Sequence, residues 1–152
     1  TYLHQPNAAA YRLRCGNNDR RRLLSDSTDN LVEWMEDNNA HPELIYWIPQ
    51  YIKRQGYCAF TDLNPMQLGR RKMSQSMRVA GHAQDLIGWR HLMEGKISKT
   101  IRRLQEFYLL GWDTNMAIDA WMRGFISKVL EISHSQWIFR NLTKHHHTNG
   151  II

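Results

Sequence analysis

Apolar side chains recur along this chain at spacings of three and four residues and almost nowhere in strict alternation, which is the period of helices and not of strands. Met73, Met77, Ala80, Gln84, Ile87 and His91 follow one another at 4, 3, 4, 3 and 4. This stripe predicts a long helix from Met66 to Glu94, with Val79, Ala83 and Leu86 widening its buried side and Gly95 ending it. Ile97, Ile101, Leu104 and Tyr108 open another helix at 4, 3 and 4, with Lys96, Lys99, Arg102 and Arg103 on its outward side and Gly111 closing it. The strongest run is Ile118, Trp121, Met122, Phe125, Val129 and Ile132, leading to an inward Trp137. It predicts a long C-terminal helix capped by Asp113 or Thr114.

Start and stop signals place two earlier helices. In SDSTDNLVEWMEDNN, Ser27 or Thr28 suits the cap, Asp29 the positive end of the dipole, and Leu31, Trp34 and Met35 the inner face. In HPELIYWIPQYIKRQG, Pro42 suits a first helical position and Gly56 a stop, while Pro49 predicts a kink or split. Gly88 before Trp89 reads as a point of close helix approach, and Tyr57 to Phe60 as a short extended connector. Residues 1–24 lack a clean period and read as a loosely ordered N-terminal arm. The expected architecture is all-α, a single-domain bundle of four to five helices with a long C-terminal helix; residues 25–147 form the bundle and 148–152 a tail.

Composition agrees with one core: the chain has 152 residues, 42% hydrophobic and 22% charged, an ordinary globular balance. The longest apolar run, LIYWIPQYI, falls far short of the roughly 20 residues a membrane helix needs. With no secretory leader in TYLHQPNAAA, the expected location is intracellular, nuclear or cytoplasmic, with no membrane partner. The Thr start and the NGII finish suggest a segment of a longer reading frame. Cys15 and Cys58 are too few for a disulfide framework and lack metal-ligand spacing, so they read as free thiols.

The formal charge of +6 is uneven: residues 1–40 hold five basic and six acidic side chains, whereas residues 41–80 hold six and two. A basic excess in the middle and C-terminal parts favours a polyanionic partner.

ISHSQWIFRNLTKHHH, from Ile132 to His147, gathers histidines, but helix geometry disfavours a metal site. His134 and His145 stand roughly 16 Å apart along a continuous helix, against metal–nitrogen bonds of about 2 Å. His145, His146 and His147 point three ways. Ser133, His134 and Ser135 diverge by about 100° per residue, so their adjacency makes no nucleophile–base pair. Neither metal nor cofactor is expected. Arg140 and Asn141, one turn beyond Trp137, suit a phosphate or carboxylate clamp, or equally a tie to a neighbouring helix end.

The leading expectation is a non-enzymatic module that contacts DNA or RNA through basic helix faces, with Arg70, Arg71, Lys72, Lys99, Arg102 and Arg103 on phosphate, and Arg140 and the arm residues Arg20, Arg21 and Arg22 in support. A protein-interaction or structural domain is the alternative. It needs an exposed apolar groove near Trp47, Trp112 or the methionine-rich helix. A metal-dependent nuclease is the third, and requires at least two carboxylates, with or without His134, to converge in a cleft; Asp85, Asp113 and Asp119 are the candidates.

QDLIGWRHLMEGKIS (Gln84 to Ser98) followed by ISHSQWIFRNLTKHHH resembles a pattern in uncharacterised algal and fungal proteins. In these, Gln-x-x-Ile-Gly-Trp and Gly-x-Ile-Ser precede a helix ending His-x-Gln-Trp-x-x-Arg-Asn. Some are associated with reverse-transcriptase-bearing mobile elements. The resemblance spans roughly residues 30–147 and implies a retroelement-associated helical module handling nucleic acid. It carries over no catalytic residues.

Overall fold

The computed structural model describes residues 8–63 and 72–151, with side chains for 18–63 and 72–144. The described residues form an all-α single domain of six helices with no strand: α1 (Ala8–Asp37), α2 (Pro42–Lys53), α3 (Gln75–Ile87), α4 (Trp89–Met93), α5 (Lys99–Leu110) and α6 (Ile118–Ile151), with a 3-10 turn at Phe60–Asp62.

The long helices α1 and α6 run antiparallel. Their register is fixed where Trp121 donates its indole N–H to the Asn38 carbonyl (2.8 Å), where Gly124 lies under Trp34, and where the Arg20 guanidinium donates to Gln136 (3.1 Å). From Trp121 to Gln136 these ties span fifteen residue steps of α6, about 22 Å of axis. A methyl at Gly124 would overlap the Trp34 ring, so glycine sets how closely the two helices approach. Leu31 and Met35 of α1, Leu44, Trp47, Ile48 and Ile52 of α2, and Trp121, Phe125, Val129 and Ile132 of α6 are buried in one core. Each such side chain contributes about 1.5–3 kcal/mol by leaving water.

Several expectations change. The first helix does not start at Ser27 or Thr28: it is continuous from Ala8, and Thr28 is buried inside it, its hydroxyl donating to the Leu24 carbonyl (2.6 Å). Residues 18–24 of the expected arm therefore continue α1, with Leu24 buried. The α2 helix runs unbroken through Pro49. The long helix expected from Met66 is two elements. Ser74 starts α3 by accepting from the Met77 N–H, and Gly88, at φ 102°, ends it. Gly88 serves that left-handed backbone and not helix approach, since a methyl there would meet nothing within 4 Å. Met73, Met77, Ala80 and Gln84 are buried as the stripe predicts, but the break at Gly88 turns His91 outward. Val79 and Leu86 are 50% and 79% exposed, because α3 packs by one side only. Tyr57 to Phe60 forms bends leading into the 3-10 turn. The α6 helix starts at Ile118, after a loop in which the Thr114 hydroxyl accepts from the Met116 N–H, and continues past the expected tail boundary. Trp137 is not inward: it is 57% exposed.

Two buried glutamines tie helix junctions, and a third ties α6 to α1. The Gln84 side chain donates to the Lys96 carbonyl (3.1 Å) and accepts from the Ser98 N–H (2.8 Å), pinning the loop before α5. Gln105 donates to the Asn39 carbonyl (2.9 Å) and accepts from the His41 N–H (2.7 Å), pinning the α1–α2 turn. Gln136 faces Arg20. The Gln84 and Gln105 amides each offer both a donor and an acceptor, which matches a turn whose backbone groups have lost their helical partners. Replacing Gln84 by Leu strands an N–H and a carbonyl, each costing about 1–3 kcal/mol when buried. Urea unfolding of Gln84→Leu is expected to show a loss of about 2–4 kcal/mol, and a loss below about 0.5 kcal/mol would refute the role.

His41 caps α2 through Nδ1, which accepts from the Glu43 N–H (3.0 Å) and must therefore be unprotonated. Burial lowers its pKa below the ordinary 6.5, opposed by the Glu43 carboxylate. The unfolded chain thus takes up this proton first as pH falls, so the stabilisation is complete above pH 6.5 and is lost as pH drops through the lowered folded value. Asn also caps well but does not titrate. Stability plotted against pH should fall less steeply below pH 6.5 for His41→Asn than for the parent, and parallel curves would remove His41 as the cause.

Candidate nucleic-acid interface

The α5 helix carries three of the expected cations, Lys99, Arg102 and Arg103. Ser98 caps it by accepting from the Ile101 N–H (3.1 Å), and Ile101, Gln105 and Leu109 turn one side into the core. That fixes the opposite side outward. Lys99, Arg103 and Phe107, four residues apart, form one exposed ridge, and Leu110 follows it at 77% exposure. Arg102 points to the flank, where it donates to the Asp119 carboxylate (2.6 Å) at the start of α6. Lys96, just ahead of the helix, lies 3.7 Å from Glu94. Lys99 and Arg103 make no ion pair among the described residues.

The first turn of α5 holds no acidic residue, although the positive end of the helix dipole favours one there. Lys99 and Arg102 occupy it instead, with Arg103 beside them. Like charge at a positive pole works against stability locally and raises the potential felt by an approaching anion.

The other expected phosphate ligands lie elsewhere. Arg70 and Arg71 fall outside the described residues. Lys72 is exposed just before Ser74, whose N–H donates to Glu43 at the start of α2 (3.0 Å). That junction also meets the later half of α5 through Gln105 and through Tyr108, whose ring centroid is 5.0 Å from that of His41. Lys72 therefore stands at the opposite end of α5 from Lys99. Arg140 is exposed on α6 one turn beyond Gln136, the residue that holds Arg20. The arm arginines and Arg140 thus share the far end of the α1–α6 pair. Of the expected set, Lys99, Arg102 and Arg103 are brought together.

The acids expected of a nuclease are dispersed. Asp85 caps the 3-10 turn, accepting from the N–H groups of Phe60 (2.5 Å) and Thr61 (3.2 Å) and from the Thr61 hydroxyl. Asp119 holds Arg102, and Asp113 is exposed in the loop before α6. His134 stacks on Trp137 on the outside of α6, ring centroids 6.0 Å apart. No group of three or more His, Cys, Asp or Glu is placed to hold a metal ion among the described residues.

For an apolar groove, Trp47 is excluded because it is fully buried, whereas Trp112 is 50% exposed beside Tyr108. The sequence reading missed Phe107, which is 74% exposed. Its position off the 4, 3, 4 stripe and in register with Lys99 and Arg103 was the available signal. No helix among the described residues is long and apolar enough to cross a membrane. No family model, curated protein or solved structure matches this chain.

Proposed function

We propose that this protein is a non-enzymatic helical module that contacts nucleic acid through the basic face of α5. The observation that carries the reading is the grouping of Lys99, Arg102 and Arg103 at the start of a helix without a first-turn acid, on a chain of net charge +6. A phosphate backbone answers that potential: each contact releases condensed counterions, and the dipole adds to the attraction. Lys99 and Arg103 make the contacts directly, and Arg102 contributes in balance with Asp119. The resemblance of QDLIGWRHLMEGKIS and ISHSQWIFRNLTKHHH to proteins associated with mobile elements supports the same reading, and the retroelement setting is part of the proposal. Arg140 with the arm arginines offers a second, weaker contact region.

The alternative, a protein-interaction or structural domain, draws on Leu130, Trp137, Ile138 and Leu142, all exposed along α6. The two readings differ in their response to salt. Nucleic-acid affinity is expected to fall with a slope of log K against log salt of about −2 to −3, and Lys99→Ala or Arg103→Ala should each reduce that slope by about 1. A flat salt response with salt-insensitive self-association would replace the first reading by the second.

Asp119 sharpens the test. Asp119→Asn removes the carboxylate that offsets Arg102 while keeping a hydrogen-bond acceptor. Affinity is expected to rise by roughly two- to ten-fold at low salt and the gain to vanish as salt screens it. Weaker binding by Asp119→Asn would place the contact elsewhere.

A further inference from the structure

We infer that the α5 ridge takes single-stranded nucleic acid, with a base laid against the Phe107 ring and the backbone held by Lys99 and Arg103. This rests on the reading of α5 as a phosphate-binding face and adds the base to it. Lys99, Arg103 and Phe107 succeed one another by one turn each, about 6 Å of axis per step, so cations and ring line one exposed edge. Phe107 is 74% exposed and Leu110, one turn further on, 77%, so an open aromatic residue has an apolar shelf beside it.

Charge is graded along the same edge. Lys99 and Arg103 lie toward its start, while the exposed Glu106 carboxylate sits toward its end and repels phosphate from the aromatic part. A strand lying along the ridge then places phosphate at one end and base at the other. Every base has a π-face, so an exposed aromatic ring beside cations binds single strands with little regard to sequence. In a duplex the bases are stacked on one another and out of reach, leaving only the cations to act. The inner anchors of α5 make the ridge a fixed platform: Gln84 holds Ser98, and Gln105 holds the α1–α2 turn.

The test is fluorescence anisotropy with a short labelled oligonucleotide and a blunt duplex of equal length, using the full chain and Phe107→Ala, Phe107→Leu and Phe107→Trp. The side chain lies outside the core, so circular dichroism should show the variants folded. Phe107→Ala is expected to weaken single-strand binding roughly five-fold or more, leaving the salt slope and duplex affinity unchanged. Phe107→Leu, which keeps apolar area but has no π-face, should behave like Ala, and Phe107→Trp should bind at least as tightly as the parent. An unchanged affinity in Phe107→Ala, full affinity in Phe107→Leu, or a duplex bound as tightly as the single strand overturns this inference while leaving the phosphate reading intact. Absence of binding to either nucleic acid overturns both.

Discussion

Where helices meet in this chain, backbone groups leave their helical partners inside the domain, and buried side-chain donors and acceptors must replace those partners. Gln84 and Gln105 do so with both ends of an amide, while the indoles of Trp121 and Trp89 donate to the Asn38 and Ile52 carbonyls at the ends of α1 and α2. The Ser133 hydroxyl donates to the Met93 carbonyl at the end of α4. Leaving such a group unpaired costs about as much as a well-packed apolar side chain contributes, so these bonds decide which turns are allowed. Gly88 and Gly95, at φ 102° and 88°, supply the backbone conformations those turns require.

These ties give the conspicuous motifs a structural meaning. Gln84, Gly88, Gly95 and Ser98 belong to the fastening of α3 to α5, Trp89 to that of α4 to α2, and Gln136 and Ser133 to the fastening of α6 to α1 and α4. The residues left without an internal role are exposed ones, and on α5 they are cations followed by an aromatic ring. Pinned at Ser98 and Gln105 and flanked by the Arg102–Asp119 pair, the α5 backbone beneath them is held in place.

The local rules of helix stability are broken at the start of α5. Cations occupy a first turn that favours acids, and a phenyl ring stands in water one turn beyond Arg103. Departures of this kind concentrate where a surface serves something other than folding. In α2 and at the start of α6 the charges follow the rules: Lys53 sits in the last turn of α2, Glu43 in its first, and Asp119 in the first turn of α6.

Spacing alone determined that the chain is helical, that α6 is long and buries Trp121, Phe125, Val129 and Ile132, and that Met73 to Gln84 forms a core stripe, because burial of one face imposes a 3.6-residue period. It also located the cations, and axial rise sets His134 and His145 roughly 16 Å apart on a continuous helix. Only the tertiary structure decided that Trp137, Val79 and Leu86 face solvent, since period shows which residues share a face but not whether a neighbour covers it. It likewise split the expected phosphate ligands, put Asp85 on a turn, and paired Arg102 with Asp119, because those outcomes depend on which helices lie side by side. Thr28 looked like a cap and Gly88 like a close-approach residue for the same reason: a short polar group or a glycine suits several backbone roles, and long-range packing selects one.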